Sequence, residues 1–222
     1  MDQLNQPMDI ILDRNKDSLI ISDWGNRRVV QWPRLNGQTI ISNVDCSRLK
    51  MDSNGDLYIS DSDKHEVKRW KIGDKSGTII AGGNGQGDQL NHPTHIVVDD
   101  DYSIYVSDNE NHRVTKWIKD AKVGIVVAGG NGQGNKLKQL CYPMGIVLDQ
   151  LKNLFLADSQ NNRIVYWPPG SKEGFTVVGG NGKGQKANQF NSPNGLSFYQ
   201  QENLYVVESN NARIQKFERD FN

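Results

Sequence analysis

Cysteine is scarce in this chain of 222 residues, and its scarcity excludes several kinds of site. The two cysteines, Cys46 and Cys141, form no CxxC motif and fall at different points of the repeat described below, so nothing pairs them. Two thiols cannot build a structural zinc site by themselves. The chain also contains no N-x-[ST] glycosylation sequon. These absences favour a reducing compartment, and we expect a cytoplasmic protein.

Long apolar runs and excess charge of one sign are missing too. No apolar run approaches the roughly 20 residues of a membrane span, and the N-terminal "MDQLNQPMD" lacks the apolar core of a signal peptide. We therefore expect no membrane partner. Lys and Arg number 26, as do Asp and Glu, so the formal net charge is zero. A general nucleic-acid binder needs excess positive charge to displace counterions, although a local basic face stays open.

The chain does contain an internal repeat. One short pattern consists of an acid, a polar turn, and an aromatic residue nine positions after the acid. Its five copies are "SDWGNRRVVQW", "SDSDKHEVKRW", "SDNENHRVTKW", "ADSQNNRIVYW" and "VESNNARIQKF". The acids, which are 38, 47, 50 and 50 residues apart, are Asp23, Asp61, Asp108, Asp158 and Glu208. A period of this size is typical of an array of supersecondary units.

Each unit contains four short β-branched or aromatic runs, bounded by Gly, Asn, Asp and Pro, which predict four antiparallel strands. Such units describe the blades of a β-propeller, an all-β fold in which stacked blades cover each other's faces. We predict one propeller domain over 1–222, with blades at about 4–42, 43–83, 90–130, 140–180 and 190–222. The fifth unit stops after its third strand, and the pattern leaves open whether the blades form a closed ring or an open arc.

The repeat resembles the NHL family, on "NHR" at 111–113, the "P-x-G-I" openings, "LYVSD" and "N-x-R-[VI]". The resemblance implies an NHL-type propeller, like those of tripartite-motif proteins. Such propellers often serve as the substrate-receptor part of a ubiquitin ligase, although this chain has too few cysteines for a RING domain. Blade 2 departs most from the pattern, because Glu66 stands where the other blades have Arg.

The residues that every blade shares are expected to hold the turn between the second and third strands. The acid should accept hydrogen bonds from the turn backbone or pair with the Arg five residues later, while Asn tolerates the left-handed backbone of a tight turn. A catalytic group has no reason to recur once per blade, so an Asp108–His112 catalytic pair is disfavoured. The predicted structural residues are Asp23, Arg28, Asp61, Asp108, Arg113, Asp158, Arg163, Glu208 and Arg213.

The residues that depart from the repeat are the candidates for ligand binding. Two positions after the strand-one Pro, blades 4 and 5 have Gly145 and Gly195, whereas the first three blades have polar residues. Trp24 likewise replaces the Ser or Asn that follows the acid in the other blades. We place these candidates on the top face, meaning the side with the strand two–three turns and the connections between blades. They are Asp9, Trp24, Arg27, Arg48, His65, His95 and His112.

We therefore predict a recognition module without enzymatic activity, cofactor or metal, which binds a protein or peptide through this face. One alternative is RNA binding through the arginines of the turns, which are Arg27, Arg28, Arg113, Arg163 and Arg213. Another is a metal-dependent lyase resembling the propeller enzyme that cleaves peptidyl-hydroxyglycine, with Asp9 and His95 as zinc ligands. Arg48 between them would repel a cation. The edge of the incomplete fifth blade also predicts self-association.

Overall fold

A computed structural model of the chain describes residues 3–32, 37–71, 73–83, 89–199 and 203–218 and confirms the all-β class and the propeller of five blades. The chain separates into two compact units. The first contains Met1–Tyr105 and Trp117–Gly124, and the second contains Val106–Lys116 and Ile125–Asn222. The boundary between them falls within the third blade. The prediction of a single domain over the whole chain stays a prediction.

The first two blades are complete four-stranded sheets whose strands follow chain order. The strands of blade 1 are β1 (Pro7–Asp13), β2 (Ser18–Asp23), β3 (Arg28–Trp32) and β4 (Gln38–Ser42). Those of blade 2 are β5 (Cys46–Met51), β6 (Leu57–Asp61), β7 (Glu66–Trp70) and β8 (Thr78–Gly82). Blade 2 thus forms its inner strand without the Pro that begins the inner strands of blades 1, 3 and 4.

The remaining blades repeat the arrangement. Blade 3 contains β9 (Pro93–Val98), β10 (Ile104–Asp108), β11 (Arg113–Trp117) and β12 (Ile125–Gly129). Blade 4 contains β13 (Pro143–Leu148), β14 (Leu154–Asp158), β15 (Arg163–Trp167) and β16 (Phe175–Gly179). The described residues of blade 5 form three strands, β17 (Gly195–Tyr199), β18 (Asn203–Glu208) and β19 (Arg213–Phe217), as the sequence predicts.

The apolar core within each unit lies between consecutive blades. In the first unit, Val29 of β3 packs in one buried cluster with Leu49 of β5 and Leu57 of β6. In the second unit, Ala157 and Ile164 of blade 4 form the equivalent cluster with Leu204 of β18. Because successive strand residues point to opposite faces, each blade can cover one neighbour with each face.

The predicted turns are short 3-10 segments that end in a left-handed residue. In the described residues they are Trp24–Asn26, Asn109–Asn111, Ser159–Asn161 and Ser209–Asn211. The residues that follow them have φ between 49° and 53° and are Arg27, His112, Asn162 and Ala212. No helix in the described parts of the chain is long and apolar enough to cross a membrane.

The aromatic residue that ends the third strand packs on the chain just before the fourth strand. In blade 3 the Trp117 ring lies over Gly124, just before β12, where an added Cβ would come within 2.5 Å of the ring. A glycine is therefore needed for this close approach. The Trp side chains of blades 2, 3 and 4 are buried, so they act as packing residues. The glycine-rich segment of blade 2, "GGNGQG" at 82–87, lies largely outside the described residues.

Candidate functional site

The site begins at the inner strands of the first unit. Strand β5 contacts both β1 and β9, so the inner strands of blades 1 to 3 are neighbours there. Asp9, Arg48 and His95 occupy the same repeat position on these strands, toward the ends where the connections between blades enter. We name these three residues the inner-strand cluster. The repeat predicts their placement side by side, and the structure brings them together.

Arg48 is the centre of the inner-strand cluster. Its Nε donates to Nε2 of His95 at 3.0 Å, and its Nη1 donates to the backbone oxygens of Met8 at 3.1 Å and Ser47 at 2.9 Å. The guanidinium therefore ties together three inner strands. Burial lowers the pKa of Arg48, and the negative charge of Asp9 raises it. A guanidinium stays charged under these conditions, so the cluster keeps a fixed positive charge.

His95 is held in one tautomer. Since Arg48 can only donate, Nε2 of His95 is the unprotonated nitrogen, and a neutral ring then carries its proton on Nδ1. Burial, followed by the charges of Arg48 and Lys50, holds the pKa of His95 well below its usual range. The ring is therefore neutral near pH 7. Its Nδ1 atom is buried, and within the described part of the chain it makes no hydrogen bond.

A buried N–H group without a partner is unusual. Buried polar atoms are nearly always hydrogen-bonded, and a buried donor without a partner costs about 1–3 kcal/mol. The inner-strand cluster therefore combines the fixed charge of Arg48 with a buried donor of His95 on the other side of the ring. Chemically, the charge of Arg48 suits a carboxylate, a carbonyl or another oxygen-rich group.

Asp9 is held by backbone N–H groups of two inner strands. Its Oδ1 accepts from the backbone N–H of Ile10 at 2.9 Å, and its Oδ2 accepts from the backbone N–H of Leu49, also at 2.9 Å. The carboxylate thereby joins blade 1 to blade 2. Nε2 of His95 accepts from Arg48, so a cation at this place would have to displace that bond and would meet the charge of Arg48. No group of three or more metal-ligating side chains occurs among the described residues.

In the second unit the equivalent position has a different role. The backbone N–H of Gly145 donates to the backbone oxygen of Asn194 at 2.8 Å. A Cβ on Gly145 would lie 2.6 Å from that oxygen and 2.9 Å from the backbone nitrogen of Leu196. Two inner strands thus approach directly where the first unit places three polar side chains. The fold itself does not require the inner-strand cluster.

Trp24 is the exposed apolar candidate. It begins the turn of blade 1 and has 37% of its surface exposed. At the same position Ser62 Oγ donates to the backbone oxygen of Pro93 at 2.6 Å, and Asn109 Nδ2 donates to that of Pro143 at 2.9 Å. The side chains of Ser62 and Asn109 tie their own blade to the next one. The indole N–H of Trp24 makes no such bond among the described residues.

His65 and His112 have structural partners that the sequence did not reveal. Nδ1 of His65 accepts the backbone N–H of His92 at 2.9 Å, and Nδ1 of His112 accepts that of Tyr142 at 3.2 Å. Asn162 in blade 4 does the same for Ser192 through its side-chain oxygen at 2.9 Å. The left-handed backbone aims each side chain at the next blade. The signal in the sequence is that His and Asn share one position before the Arg.

Arg27 stands at the same left-handed position in blade 1 but makes a different contact. Its guanidinium pairs with Asp45 at 2.9 Å, and 57% of the Arg27 side chain is exposed. The backbone oxygen of Arg27 accepts from the N–H of Val44 at 3.2 Å. Of the seven candidates, the structure therefore joins Asp9, Arg48 and His95, leaves Trp24 and Arg27 exposed on the turn of blade 1, and gives His65 and His112 backbone partners.

The shared acid and Arg form the same buried pair in four blades. The Arg Nε lies 2.6 or 2.7 Å from an acid oxygen in the pairs Asp23–Arg28, Asp108–Arg113, Asp158–Arg163 and Glu208–Arg213. An Asn two positions before the Arg also donates to each acid. In blade 2, Asp61 accepts instead from the backbone and ammonium groups of Lys64. Glu66 pairs with Lys68 there.

The same contacts bear on the RNA alternative. The outer nitrogens of Arg163 donate to the backbone oxygens of Asn135, Lys136 and Gln139, and those of Arg213 bind the equivalent connection. These guanidinium groups face the chain itself and already have acceptors. Phosphate binding would have to displace those bonds, so the basic face that RNA needs is weaker than the count of arginines suggests.

Known proteins resemble this chain in one sequence repeat and in its fold. The NHL repeat family matches residues 90–117, which include β9, β10 and β11. No curated protein sequence matches the chain.

Solved structures match with TM-scores that show the fold alone, because the sequence identities are low. A gluconolactonase from Xanthomonas campestris has a TM-score of 0.75 and 15% identity over 99% of this chain and 74% of its own. A virginiamycin B lyase from Staphylococcus aureus has a TM-score of 0.64 and 15% identity, covering 98% and 71%.

A third structure is an auxiliary nutrient binding protein from Bacteroides thetaiotaomicron. It has a TM-score of 0.75 and 18% identity over 97% of this chain, which spans 60% of that protein. The family match covers part of the third blade, and together with the five blades and their shared turns it supports an NHL-repeat β-propeller.

Proposed function

We propose that the chain is a recognition module that binds a protein or peptide through the top face of its first unit. The observation that carries the proposal is the inner-strand cluster, in which Arg48 places a fixed positive charge among the polar side chains of blades 1 to 3. Blades 4 and 5 build the same strand position with glycine. Polar side chains at this position are therefore a feature of blades 1 to 3 alone.

The chemistry of the inner-strand cluster favours an acidic or carbonyl-rich segment of the partner. A carboxylate can pair with the guanidinium of Arg48, and charge-assisted bonds of this kind are the stronger ones. A peptide C-terminus, or an Asp or Glu side chain, provides such a group. A cationic partner would instead meet the charge of Arg48.

Trp24 and Arg27 are the second part of the proposed surface. Exposed Trp side chains are enriched among the residues that dominate binding energy at interfaces. Arg27 carries an exposed guanidinium next in the same turn. An apolar anchor with charge beside it suits a peptide segment that continues beyond its acidic group.

The test is selection of ligands from a random peptide library displayed on phage, followed by calorimetry on the synthetic peptides. We expect selected peptides to be rich in Asp, Glu or free C-termini. Trp24→Ala should weaken their binding by about 2 kcal/mol, the size of an interface hot spot. Arg48→Gln should weaken binding of the acidic peptides most strongly. Both variants should be checked for an intact fold by circular dichroism.

Leu151→Lys is the matched control, because Leu151 is 75% exposed and lies on the opposite turns of the blades. Its binding should equal that of the unmodified chain. The proposal would be contradicted by peptides whose affinity is unchanged in Trp24→Ala and Arg48→Gln but falls in Leu151→Lys. The same calorimetry with RNA oligonucleotides tests the RNA-binding alternative. RNA affinity that falls steeply with salt concentration would favour that alternative.

Catalysis is the second candidate function, because the similar structures include a gluconolactonase and a virginiamycin B lyase. A neutral histidine beside a guanidinium can serve as a base and an oxyanion stabiliser in lactone opening. For His95 to accept a proton at Nε2, Arg48 must first release that nitrogen. The test is turnover of gluconolactone and virginiamycin B with and without added Mg²⁺ or Zn²⁺, in the unmodified chain and in His95→Gln. Turnover that His95→Gln abolishes would replace recognition by catalysis.

Two further expectations stay predictions. The family resemblance implies a role as the substrate-receptor part of a ubiquitin ligase, and identification of the bound peptides would be the first step toward testing it. The scarcity of cysteine and the lack of a sequon favour a cytoplasmic location.

A further inference from the structure

The blades of this chain pack on each other by one rule. In the first unit, Val29 on one face of blade 1 packs against Leu49 and Leu57 on the facing side of blade 2. In the second unit, the equivalent Ile164 of blade 4 packs against the equivalent Leu204 of blade 5, with Leu196 beside it. We name the face that carries Leu49, Leu57 and their equivalents the leading face, and the face that carries Val29, Ile164 and their equivalents the trailing face.

Blade 1 exposes its leading face. Ile10 is 55% exposed, whereas the equivalent Leu49 of blade 2 is fully buried. Leu12 and Leu19 pair across the same face and are exposed as well. The other blades bury this apolar surface against the preceding blade, so in blade 1 it is an interface without its usual cover.

Blade 5 exposes its trailing face. Ile214 is 66% exposed, whereas the equivalent Ile164 of blade 4 is fully buried. Val207 pairs with Ile214 across this face and is also exposed, although its counterpart Ala157 is buried. The exposed surface therefore has the position, and the apolar character, of a blade-to-blade contact.

We propose that a second copy of this chain covers these faces, with the leading face of one copy on the trailing face of the other. The argument is continuity with the contacts inside the chain, where a leading face is what covers each trailing face. In the assembly, Ile10 and Leu19 of one copy would lie against Val207 and Ile214 of the other, as Leu196 and Leu204 lie against Ala157 and Ile164. A contact between two different faces is heterologous, so it can extend to further copies.

This contact would depend on apolar burial more than the internal ones do. Ser22 and Ser107 each donate a hydrogen bond to a backbone oxygen of the next blade, at the position that Val207 occupies in blade 5. Ala212 likewise replaces the His or Asn that accepts a backbone N–H from the next blade. Charge placed on either face should therefore disrupt the contact strongly, since no hydrogen bonds would compensate for it.

Sedimentation velocity over a wide concentration range tests the proposal. The unmodified chain should shift from monomer to larger species as concentration rises. Ile10→Lys and Ile214→Lys should each weaken self-association by about 30-fold or more, the effect of losing an interface anchor. Both side chains are exposed, so both variants should keep the melting temperature of the unmodified chain. Leu151→Lys, which lies on neither face, should associate like the unmodified chain.

Mixing the two variants distinguishes the arrangement. Ile10→Lys keeps an intact trailing face and Ile214→Lys keeps an intact leading face, so a mixture should form a dimer although neither variant alone does. A dimer formed by either variant alone would show contact between like faces and overturn the proposal. A chain that stays monomeric at every concentration would overturn it as well, as would an equal loss of association in Leu151→Lys.

Discussion

At the scale of single residues, the side chains that recur in the turns differ from those that depart from the repeat. In blades 1, 3, 4 and 5 the acid and Arg of the turn meet as a pair, and in blade 4 the Arg also reaches the backbone of the preceding connection. The inner-strand cluster uses the same kinds of residue differently. There Arg48 is placed against a histidine whose second nitrogen has no hydrogen bond in the described structure.

Arg113→Ala tests the structural side of this division. Arg113 Nε donates to the buried Asp108 at 2.6 Å, and its loss leaves a buried carboxylate short of a donor. We expect the free energy of unfolding, measured by urea titration, to fall by about 2 kcal/mol. Arg27→Ala is the control, since an exposed ion pair is worth at most about 1 kcal/mol. Equal losses in the two variants would contradict the assignment.

His95 makes the stability depend on pH in a defined window. Its folded-state pKa is lowered by burial and by Arg48 and Lys50, so the unfolded chain binds this proton more readily than the folded chain. The stability that neutral His95 contributes is fully present above pH 6.5, the usual pKa of histidine. It is lost as pH falls from there toward the lower pKa of His95 in the folded chain. Arg48 stays charged over this window and opposes protonation of His95 throughout.

His95→Gln should remove that dependence while it keeps an acceptor for Arg48. We expect unfolding titrations below pH 6.5 to show a smaller loss of stability in the variant than in the unmodified chain. His112 also has a lowered pKa, through burial, and is left in place in both proteins, so its effect cancels. The same pH profile in both would show that His95 is not held neutral.

At the scale of elements, the inner strands differ between the two units. Strands β13 and β17 approach through Gly145, whereas β1, β5 and β9 have Asp9, Arg48 and His95 at the same position. The inner strand of a blade can therefore contact the next inner strand in two ways, backbone against backbone or through polar side chains.

Gly145→Ala should destabilise the second unit. The added methyl group would lie within 3.0 Å of three atoms of the neighbouring strand, so the two strands must move apart. We expect a loss of about 1–3 kcal/mol, the cost of overpacking. Gly195→Ala is matched to it, because there the methyl group would meet Val207 at an ordinary 3.4 Å. If Gly195→Ala costs as much as Gly145→Ala, close strand approach is not the reason for glycine.

The sequence predicts contacts within a blade better than contacts between blades. The strands, the five blades and the Asp–Arg turns follow from short patterns such as "SDNENHR", and the structure has them at those places. The adjacency of Asp9, Arg48 and His95 follows from their equal repeat positions. The bond from Arg48 to His95, and the bonds by which His65 and His112 hold the next blade, cross between blades. They depend on backbone angles and side-chain rotamers that a repeat alignment does not contain.

At the scale of the molecule, repetition supplies the fold and departures from repetition supply the surfaces. The turns, the interblade apolar clusters and the Trp–Gly contacts recur from blade to blade. The inner-strand cluster, Trp24 and the exposed faces of blades 1 and 5 do not. The proposed ligand site uses the top face and the proposed contact with a second copy uses the blade faces, so the two proposals are tested with variants that do not overlap.

The most direct test of the central claim is a footprint of a library-selected peptide by hydrogen–deuterium exchange. We predict that the bound peptide slows exchange at residues 7–10, 24–27, 46–49 and 93–96, and leaves the opposite turns at 14–18 and 150–153 unchanged. The peptide should give no footprint on the Trp24→Ala, Arg48→Gln double variant. Protection at 14–18 and 150–153, with none at the inner-strand cluster, would contradict recognition through the top face.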